Sequence, residues 1–288
     1  MEAVAAVREY LAGVASGEIV AGENIRLACQ RSQAELDGEC PEVYWDAGEL
    51  QNVASFVAKL RLHDWGNEQA KLWPWQLHLA GCLLCRRWRA DDLLATKQLC
   101  LEIGKGNGKS TLAAMLSLYL LTTSPSRIEI WSMATKRDQA HRITENAGNF
   151  ARGNGMVEPD GPIKVRFREL YHGETFSLMG SLATKERTAD GLLPRLALAD
   201  ECGRYGSDDT LGKLAIALHK LPAAQLLMFT TPGSNRENTY YLRRDRMEQE
   251  LRAGELPRDQ VPLLYGIDAE DDPFDEAKWA KANPMLAV

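Results

Sequence analysis

The sequence has no apolar run long enough to cross a membrane. Its most apolar stretch, Leu112 to Leu121, is about half of the ~20 residues that a helical span needs, so no membrane partner is expected. Met1-Glu2-Ala3 is not followed by the basic segment and apolar run of a secretory signal. Basic charge is not in surplus either: 34 Lys and Arg stand against 40 Asp and Glu, for a net charge of −6. A protein that holds duplex DNA tightly by itself usually carries a strong basic surplus. Any DNA contact here is therefore expected to be transient, local, or shared among several subunits around a channel. The six cysteines are scattered at positions 29, 40, 82, 85, 100 and 202. Cys82 and Cys85 form one CxxC, and a zinc site would want a second such pair. They read instead as buried thiols on a helix rich in Leu and Trp, and a reducing cytosol is the natural compartment. The chain shows no internal repeat and no low-complexity segment.

What remains is an ordinary globular composition, 45% apolar and 26% charged over 288 residues. That length allows one large domain, or a core with two small attachments. Residues 1–70 are expected to form an N-terminal helical segment, with helical spacing over Ala3 to Ala12 and Glu23 to Leu36. Residues 71–235 read as an α/β core. Expected strands run over Gln98 to Ile103, Arg127 to Met133, Ile163 to Phe167, Thr175 to Met179, Leu196 to Ala199 and Gln225 to Thr230. Expected helices run over Lys109 to Leu121 and Lys136 to Phe150. Such alternation predicts a mostly parallel sheet flanked by helices. Residues 236–288 read as a helical lid and linker, with a charged helix over Glu237 to Leu251 and a Pro- and Asp-rich tail.

Between the first core strand and its helix lies Gly104-Lys-Gly-Asn-Gly-Lys-Ser-Thr111. The phosphate-loop pattern is GxxxxGK[ST]. Gly108, Lys109 and Ser110 fit it, but its first glycine falls at Ile103, one place before Gly104. The physical case is stronger than the pattern. Gly104, Gly106 and Gly108 permit a tight turn that aims backbone N–H groups inward, with Lys105, Asn107 and Thr111 completing the loop. The helix after it offers its N-terminal dipole to phosphate. Lys109 is expected to reach the β- and γ-phosphates of ATP, and Ser110 to hold Mg²⁺. The bland alternative is a Gly-rich strand–helix turn.

About 90 residues on, the apolar run Leu196 to Ala199 ends in Asp200-Glu201. Parallel strands bind ligands at their carboxyl ends, and adjacent strand residues point to opposite sides. Asp200 is expected in the Mg²⁺ shell and Glu201 beside the attacking water, the arrangement that phosphoryl transfer to water needs. Otherwise the pair is a solvated strand end. Thr230 and Thr231, in Phe229-Thr-Thr-Pro-Gly233, are candidate sensors of the γ-phosphate, or else simple turn hydroxyls. Gln76, in Trp73-Pro-Trp-Gln76, is a candidate adenine contact, since its amide both donates and accepts. Its alternative is a surface glutamine.

Taken together these pieces resemble the large terminase subunit of tailed bacteriophages, the motor that pumps DNA into an empty procapsid. Ser16-Gly17 to Arg31 is similar to that family's N-terminal segment, and Leu72-Trp-Pro-Trp-Gln76 to its adenine-contacting Gln motif. Gly104 to Ser110 is similar to its variant phosphate loop, which often reads Pro-Arg-Lys-Asn-Gly-Lys-Ser. Thr188-Ala-Asp-Gly-Leu-Leu-Pro194 with Asp200-Glu201, then Thr230-Thr-Pro-Gly233, then Trp279-Ala-Lys-Ala-Asn-Pro284 follow in the family's order. The resemblance implies a P-loop ATPase that hydrolyses ATP with Mg²⁺ to translocate double-stranded viral DNA. It implies a ring of copies on the portal protein, a pentamer by family likeness, a small terminase subunit as partner, and the host cytoplasm as location. It also implies an arginine reaching a neighbour's ATP. Arg187 is the candidate, with Arg195 and Arg204 as rivals. Lys105 stands where the family usually has Arg, and Lys lacks the bidentate fork. The family's full subunit continues into a nuclease. The acidic run Asp268, Glu270, Asp271, Asp272 and Asp275 has no strand scaffold and reads as a solvated linker. Two rival classes stay open: another P-loop enzyme, such as a helicase-like translocase or small-molecule kinase, and a nucleotide-binding assembly module without turnover.

Overall fold

The computed structural model describes residues 2–62, 66, 68–183, 194–205, 210–218, 221–233 and 236–287. Three helices open the chain: α1 (Glu2–Ser16), α2 (Glu23–Leu36) and, after the short strand β1 (Val43–Trp45), α3 (Ala47–Lys59). Asp46 starts α3 by accepting a hydrogen bond from the Glu49 N–H, the usual way to satisfy a first-turn donor. A two-residue pair, β2 (Arg61–Leu62) and β3 (Glu68–Gln69), leads to α4 (Pro74–Leu84). Pro74 sits in the first turn of α4, where its missing N–H removes no helical bond. β4 (Arg86–Trp88) then pairs antiparallel with β1.

The core follows as β5 (Gln98–Glu102), α5 (Lys109–Thr123), β6 (Glu129–Ala134), α6 (Arg137–Gly153), β7 (Ile163–Arg166), β8 (Glu169–His172), β9 (Leu178–Ala183), β10 (Leu196–Asp200), α7 (Thr210–Leu218), β11 (Gln225–Thr230), α8 (Thr239–Ala253) and β12 (Gln260–Leu264). Eight strands form one sheet in the order β12-β5-β11-β10-β6-β9-β8-β7. The first six run parallel, and β8 and β7 add an antiparallel hairpin at one edge. β10 and β11 are thus inserted between β5 and β6, although β6 follows β5 in sequence.

Period-two alternation assigns the strand residues to two layers. Leu99, Leu101, Leu196 and Leu198 face an apolar cluster shared with α1, α4 and α5. Cys100, Ala197, Ala199, Leu226 and Met228 face the opposite cluster, with Leu214 of α7 and Met247 and Leu251 of α8. α5 is buried without interruption from Leu112 to Leu121, as its all-round apolar sequence requires. Each fully buried leucine there stabilises the fold by roughly 1.5–3 kcal/mol. All six cysteines are free and buried. They include Cys82 and Cys85, the two expected as buried thiols, of which Cys85 lies just past the end of α4.

Three segments depart from the sequence reading. Phe176 adopts a left-handed φ of 59°, and the hydroxyls of Thr175 and Ser177 bond each other. The expected strand at Thr175 is therefore a turn, and β9 begins at Leu178. Gln260–Leu264, expected in a lid or linker, is instead an edge strand parallel to β5. Pro262 masks it in sequence, yet an edge strand tolerates proline because one side of its backbone has no ladder to complete. The acidic run is not simply solvated: Asp268 and Asp271 both grip Lys281, at 2.7 and 2.6 Å.

Candidate functional site

β5, β11 and β10 are neighbours, and their carboxyl ends lie level: Phe229 is in register with both Leu101 and Asp200, and Thr230 with Glu102. Three loops therefore converge at one place in the sheet, where open parallel sheets bind ligands. The first loop runs from Ile103 to Gly108. Ile103 is fully buried, which explains the departure from the phosphate-loop pattern: here that position belongs to the apolar core. Gly106 (φ 91°) and Gly108 (φ 72°) both take the left-handed conformation, and Gly108 sits just before the first turn of α5. A side chain there would strain the backbone by roughly 1–2 kcal/mol. Lys105, Gly106 and Gly108 face solvent, Ser110 and Thr111 are half-buried, and Asn107 points inward.

The Lys109 ammonium is folded over this loop. It donates to the carbonyls of Ile103 (3.2 Å) and Gly104 (3.1 Å) and to Thr231 Oγ1 (3.0 Å). Burial lowers its pKa, while the charges of Glu201 and Asp200 pull it back up. Gln76 is buried, so it is not a surface glutamine. Its Oε1 accepts from the Trp73 N–H at 3.1 Å, which leaves Nε2 beside Gly108. Gln76 and the glycine loop thus lie side by side.

Asp200 is the last residue of β10 and is buried. Burial and the neighbouring Glu201 push its carboxyl up to about 7, against the pull of the Glu201 backbone N–H, Lys109 and Arg142. Glu201 lies beyond the strand, at φ 49° and ψ 38°. Its direction is set by this left-handed turn rather than by strand alternation, which corrects the expectation from adjacent strand positions. A non-glycine residue held there stores strain on the order of 1–3 kcal/mol, and such residues cluster at functional sites. Glu201 Oε2 is buried without a hydrogen bond. Its ion-pair partner is Arg204 Nε at 3.7 Å, on a guanidinium that is 73% exposed.

The third loop follows β11. Thr230 is fully buried, and its Oγ1 accepts from the Gly203 N–H at 3.2 Å, in the short 3₁₀ turn after Glu201. Thr230 and Thr231 thus divide the work, one touching the carboxylate loop and the other Lys109. Asn238 joins this assembly, though sequence reading did not single it out. Its Nδ2 donates to the Gly203 carbonyl at 2.6 Å, and its Oδ1 caps α8 through the Tyr241 N–H at 3.1 Å. The Tyr241 hydroxyl accepts from the Gly233 N–H at 2.7 Å. A polar residue just before a helical stretch was the available signal for the cap, but nothing local marks its contact with Gly203.

Arg187 and Thr188 to Leu193 lie outside the described residues. Arg195 precedes β10 at the end opposite Asp200 and bonds Gln225 Oε1 at 2.6 Å. Among the described residues no three His, Cys, Asp or Glu groups cluster as a metal site. Mg²⁺ beside a nucleotide needs no such cluster, because it draws ligands from phosphate and water with only one or two protein oxygens.

A family model for the ATPase domain of the terminase large subunit matches residues 74–249. Among curated proteins none matches this sequence. The fold is similar to that of the large terminase of bacteriophage HK97, with a TM-score of 0.68 and 22% identity over 82% of this chain and 48% of that one. This chain therefore spans about half the length of that relative. The large terminase of a thermophilic bacteriophage in complex with ADP gives a TM-score of 0.46 and 12% identity, over 66% of this chain and 44% of that one. The Thermus phage P74-26 large terminase ATPase domain gives 0.43 and 16%, over 55% and 67%. With the family match spanning more than half of its residues, and with its glycine loop, acidic pair and threonines converging at the carboxyl ends of neighbouring strands, the chain belongs to the family of terminase large-subunit ATPase domains.

Proposed function

We propose that this chain hydrolyses ATP at the Lys109–Asp200–Glu201 site and uses the cycle to drive double-stranded viral DNA into a procapsid. One observation carries the reading. The Lys109 ammonium, at the start of α5, lies near a buried acid, Asp200, and a half-buried one, Glu201, that have few partners of their own. The acids of such a site lack counter-charge, which a divalent cation supplies, and the phosphate chain that travels with it gives the ammonium an anionic partner in place of neutral carbonyls.

In this mechanism the loop from Gly104 to Thr111 cradles the phosphates through the N–H groups of Lys105 to Thr111, and Lys109 leaves its carbonyl partners for the β- and γ-oxygens. Gln76 contacts adenine. Lys105, on the exposed edge of the loop, adds a point charge without the fork of an arginine. Ser110 and Asp200 fit Mg²⁺: a buried carboxyl pushed up for want of counter-charge suits a dication, which when bound neutralises charge on the phosphate oxygens. Glu201 orients water and accepts its proton. Thr231 exchanges its bond to Lys109 for the γ-phosphate, and Thr230 relays the change through Gly203 and Asn238 to α8. Arg187 of a neighbouring copy completes the site in a ring, pentameric by family likeness, on the portal protein. The small terminase subunit is the further partner and the host cytoplasm the location. The net charge of −6 fits DNA contact shared around a ring rather than tight binding by one chain.

The test is steady-state ATP hydrolysis against protein concentration, with Glu201→Gln as control. Specific activity that climbs with concentration, with a dead control, supports a site completed between subunits. Flat, nonzero activity removes the trans arginine. Activity in Glu201→Gln equal to that of the wild type removes Glu201 from its role. Stimulation by a small acceptor rather than by duplex DNA favours a kinase.

A further inference from the structure

The rear of the phosphate loop is held by a segment about 176 residues downstream, and the proposed nucleotide site does not by itself explain why. Asn107 is only 2% exposed. Its Nδ2 donates to the Gly104 carbonyl at 3.0 Å, within the loop, and to Asn283 Oδ1 at 3.1 Å, outside it. Its Oδ1 accepts from the Met285 N–H at 3.2 Å. The Gly104 N–H donates to the Ala282 carbonyl at 3.1 Å. A side chain at position 104 would place its Cβ 1.9 Å from Asn283 Oδ1. Glycine at this position is thus what lets Asn283 reach the loop.

The segment carrying Asn283 is itself anchored. Lys281 is bound by Asp268 and Asp271. Asp268 also accepts from the Glu23 N–H at 2.7 Å, at the start of α2. An unbroken series of polar contacts therefore runs from α2 through residues 268–285 to the loop. A loop with three glycines loses much conformational freedom when it orders around phosphate. A clasp that orders it beforehand lowers that loss and so tightens binding.

We propose that Asn283 is a positioning residue for the nucleotide site: it clasps the phosphate loop through Asn107 and Gly104, so that nucleotide affinity and the order of residues 282–287 are coupled. The inference rests on the nucleotide-binding reading above. Coupling is reciprocal. If the clasp tightens nucleotide binding, nucleotide must tighten the clasp by the same factor.

The experiment uses the full chain and a fluorescent ADP analogue. Asn283→Ala is expected to weaken binding about tenfold, the scale of one to two lost hydrogen bonds. Gly104→Ala, which ejects the Asn283 side chain, is expected to weaken it by a similar factor. The double variant should be no worse than the weaker single, because both changes remove one contact. In the wild type, ADP should slow hydrogen exchange at the Met285 amide. A purely structural role for Asn283 would lower stability, yet leave Met285 exchange indifferent to ADP and the two substitutions additive in affinity. Binding in Asn283→Ala within twofold of wild type, with Met285 exchange unmoved by ADP, overturns the proposal. If Asn283→Ala does not fold, the exchange measurement on the wild type decides alone. If the wild type binds no nucleotide, the function proposed above fails first and this inference falls with it, an outcome distinct from a failed clasp.

Discussion

Glu35, in the helical layer, and the pair Asp200 and Glu201, at the end of β10, are acids taken out of water in very different company. The Glu35 carboxylate accepts from Arg86 twice, at 2.6 and 2.8 Å, and from Trp45 Nε1 at 3.0 Å. Arg86 in turn donates to Thr96 Oγ1 and to the Arg258 carbonyl, both at 2.8 Å. Burial works to raise the Glu35 carboxyl, but Arg86, Trp45 and Arg31 outweigh it and hold the group below the ordinary carboxylate range. At Asp200 the balance is reversed: burial and a second acid win, and the carboxyl is pushed up to about 7. Beside it, Glu201 keeps one oxygen buried with no hydrogen bond. A buried acid with every lone pair matched belongs to the structure, and one left short is available to a ligand.

The largest expected effect is on turnover. Glu201→Gln should reduce ATP hydrolysis by about 10²–10⁴-fold, the range for loss of a general base, with nucleotide binding intact. Because Glu201 has little bonding to lose, the melting temperature should stay level or rise. A steady-state assay and a thermal melt on one preparation check both. A variant that melts well below wild type while still turning over would erase the contrast with Glu35.

The mirror-image experiment is Glu35→Gln. It leaves Arg86 buried with a neutral partner, and removing one member of a buried pair costs about 3–5 kcal/mol. Urea unfolding should show a loss of that size, while turnover per folded molecule stays the same. Replacing both members, Glu35→Met with Arg86→Leu, should restore much of the stability, since the penalty lies in the orphaned charge.

His78 sharpens the comparison through pH. Its ring is stacked on Trp45 and its Nε2 pairs with Ser32 Oγ at 2.9 Å. Burial, reinforced by Arg86 and opposed by Glu35, lowers its pKa to about 4. The unfolded chain titrates this ring near 6.5. Between these values the unfolded state binds a proton that the folded state refuses. Stability is therefore fully present above pH ~6.5 and is lost as pH falls toward 4, by about 3 kcal/mol. Glu35, with its folded value depressed, adds its own loss only at lower pH, so the two separate. Asp200, with its folded value raised to about 7, works the other way over the same window and adds stability as pH falls. His78→Gln should therefore turn the pH dependence of the urea midpoint between pH 7 and 4.5 toward greater acid stability, and an unchanged slope would assign the acid sensitivity elsewhere.

Much of this was legible because the signals are local. Strand, glycine loop, Gly108-Lys109-Ser110 and an all-apolar helix stand in order along the chain, and so does an apolar strand ending in Asp200-Glu201. What sequence hid depends on partners distant in the chain or on unusual backbone. Pro262 concealed β12 because proline argues against a strand until the strand is known to lie at an edge. The left-handed turn at Glu201 carries no glycine to announce it. Asn107 and Asn283 are ordinary asparagines until folding joins them, and so is Asn238 beyond its capping role.

The smallest expected effect concerns Asn238, which serves both regions at once. As a helix cap it stabilises α8, and as a donor to Gly203 it ties α8 to the turn after Glu201. Asn238→Ala removes both functions and should cost ~1 kcal/mol, the usual loss for a cap. Asn238→Ser keeps a capping oxygen close to the backbone but is too short to bond the Gly203 carbonyl. It should retain nearly all the stability, within a few tenths of a kcal/mol, together with wild-type ADP affinity. If the bond to Gly203 carries the relay from Thr230 to α8, both variants should lose stimulation of ATP turnover by duplex DNA to the same degree, despite their different stabilities. If stimulation instead tracks stability, so that Asn238→Ser behaves as wild type, then Asn238 is a cap and nothing more. The bond to the Gly203 carbonyl would then contribute to neither the relay nor the fold, unlike the matched groups around Glu35.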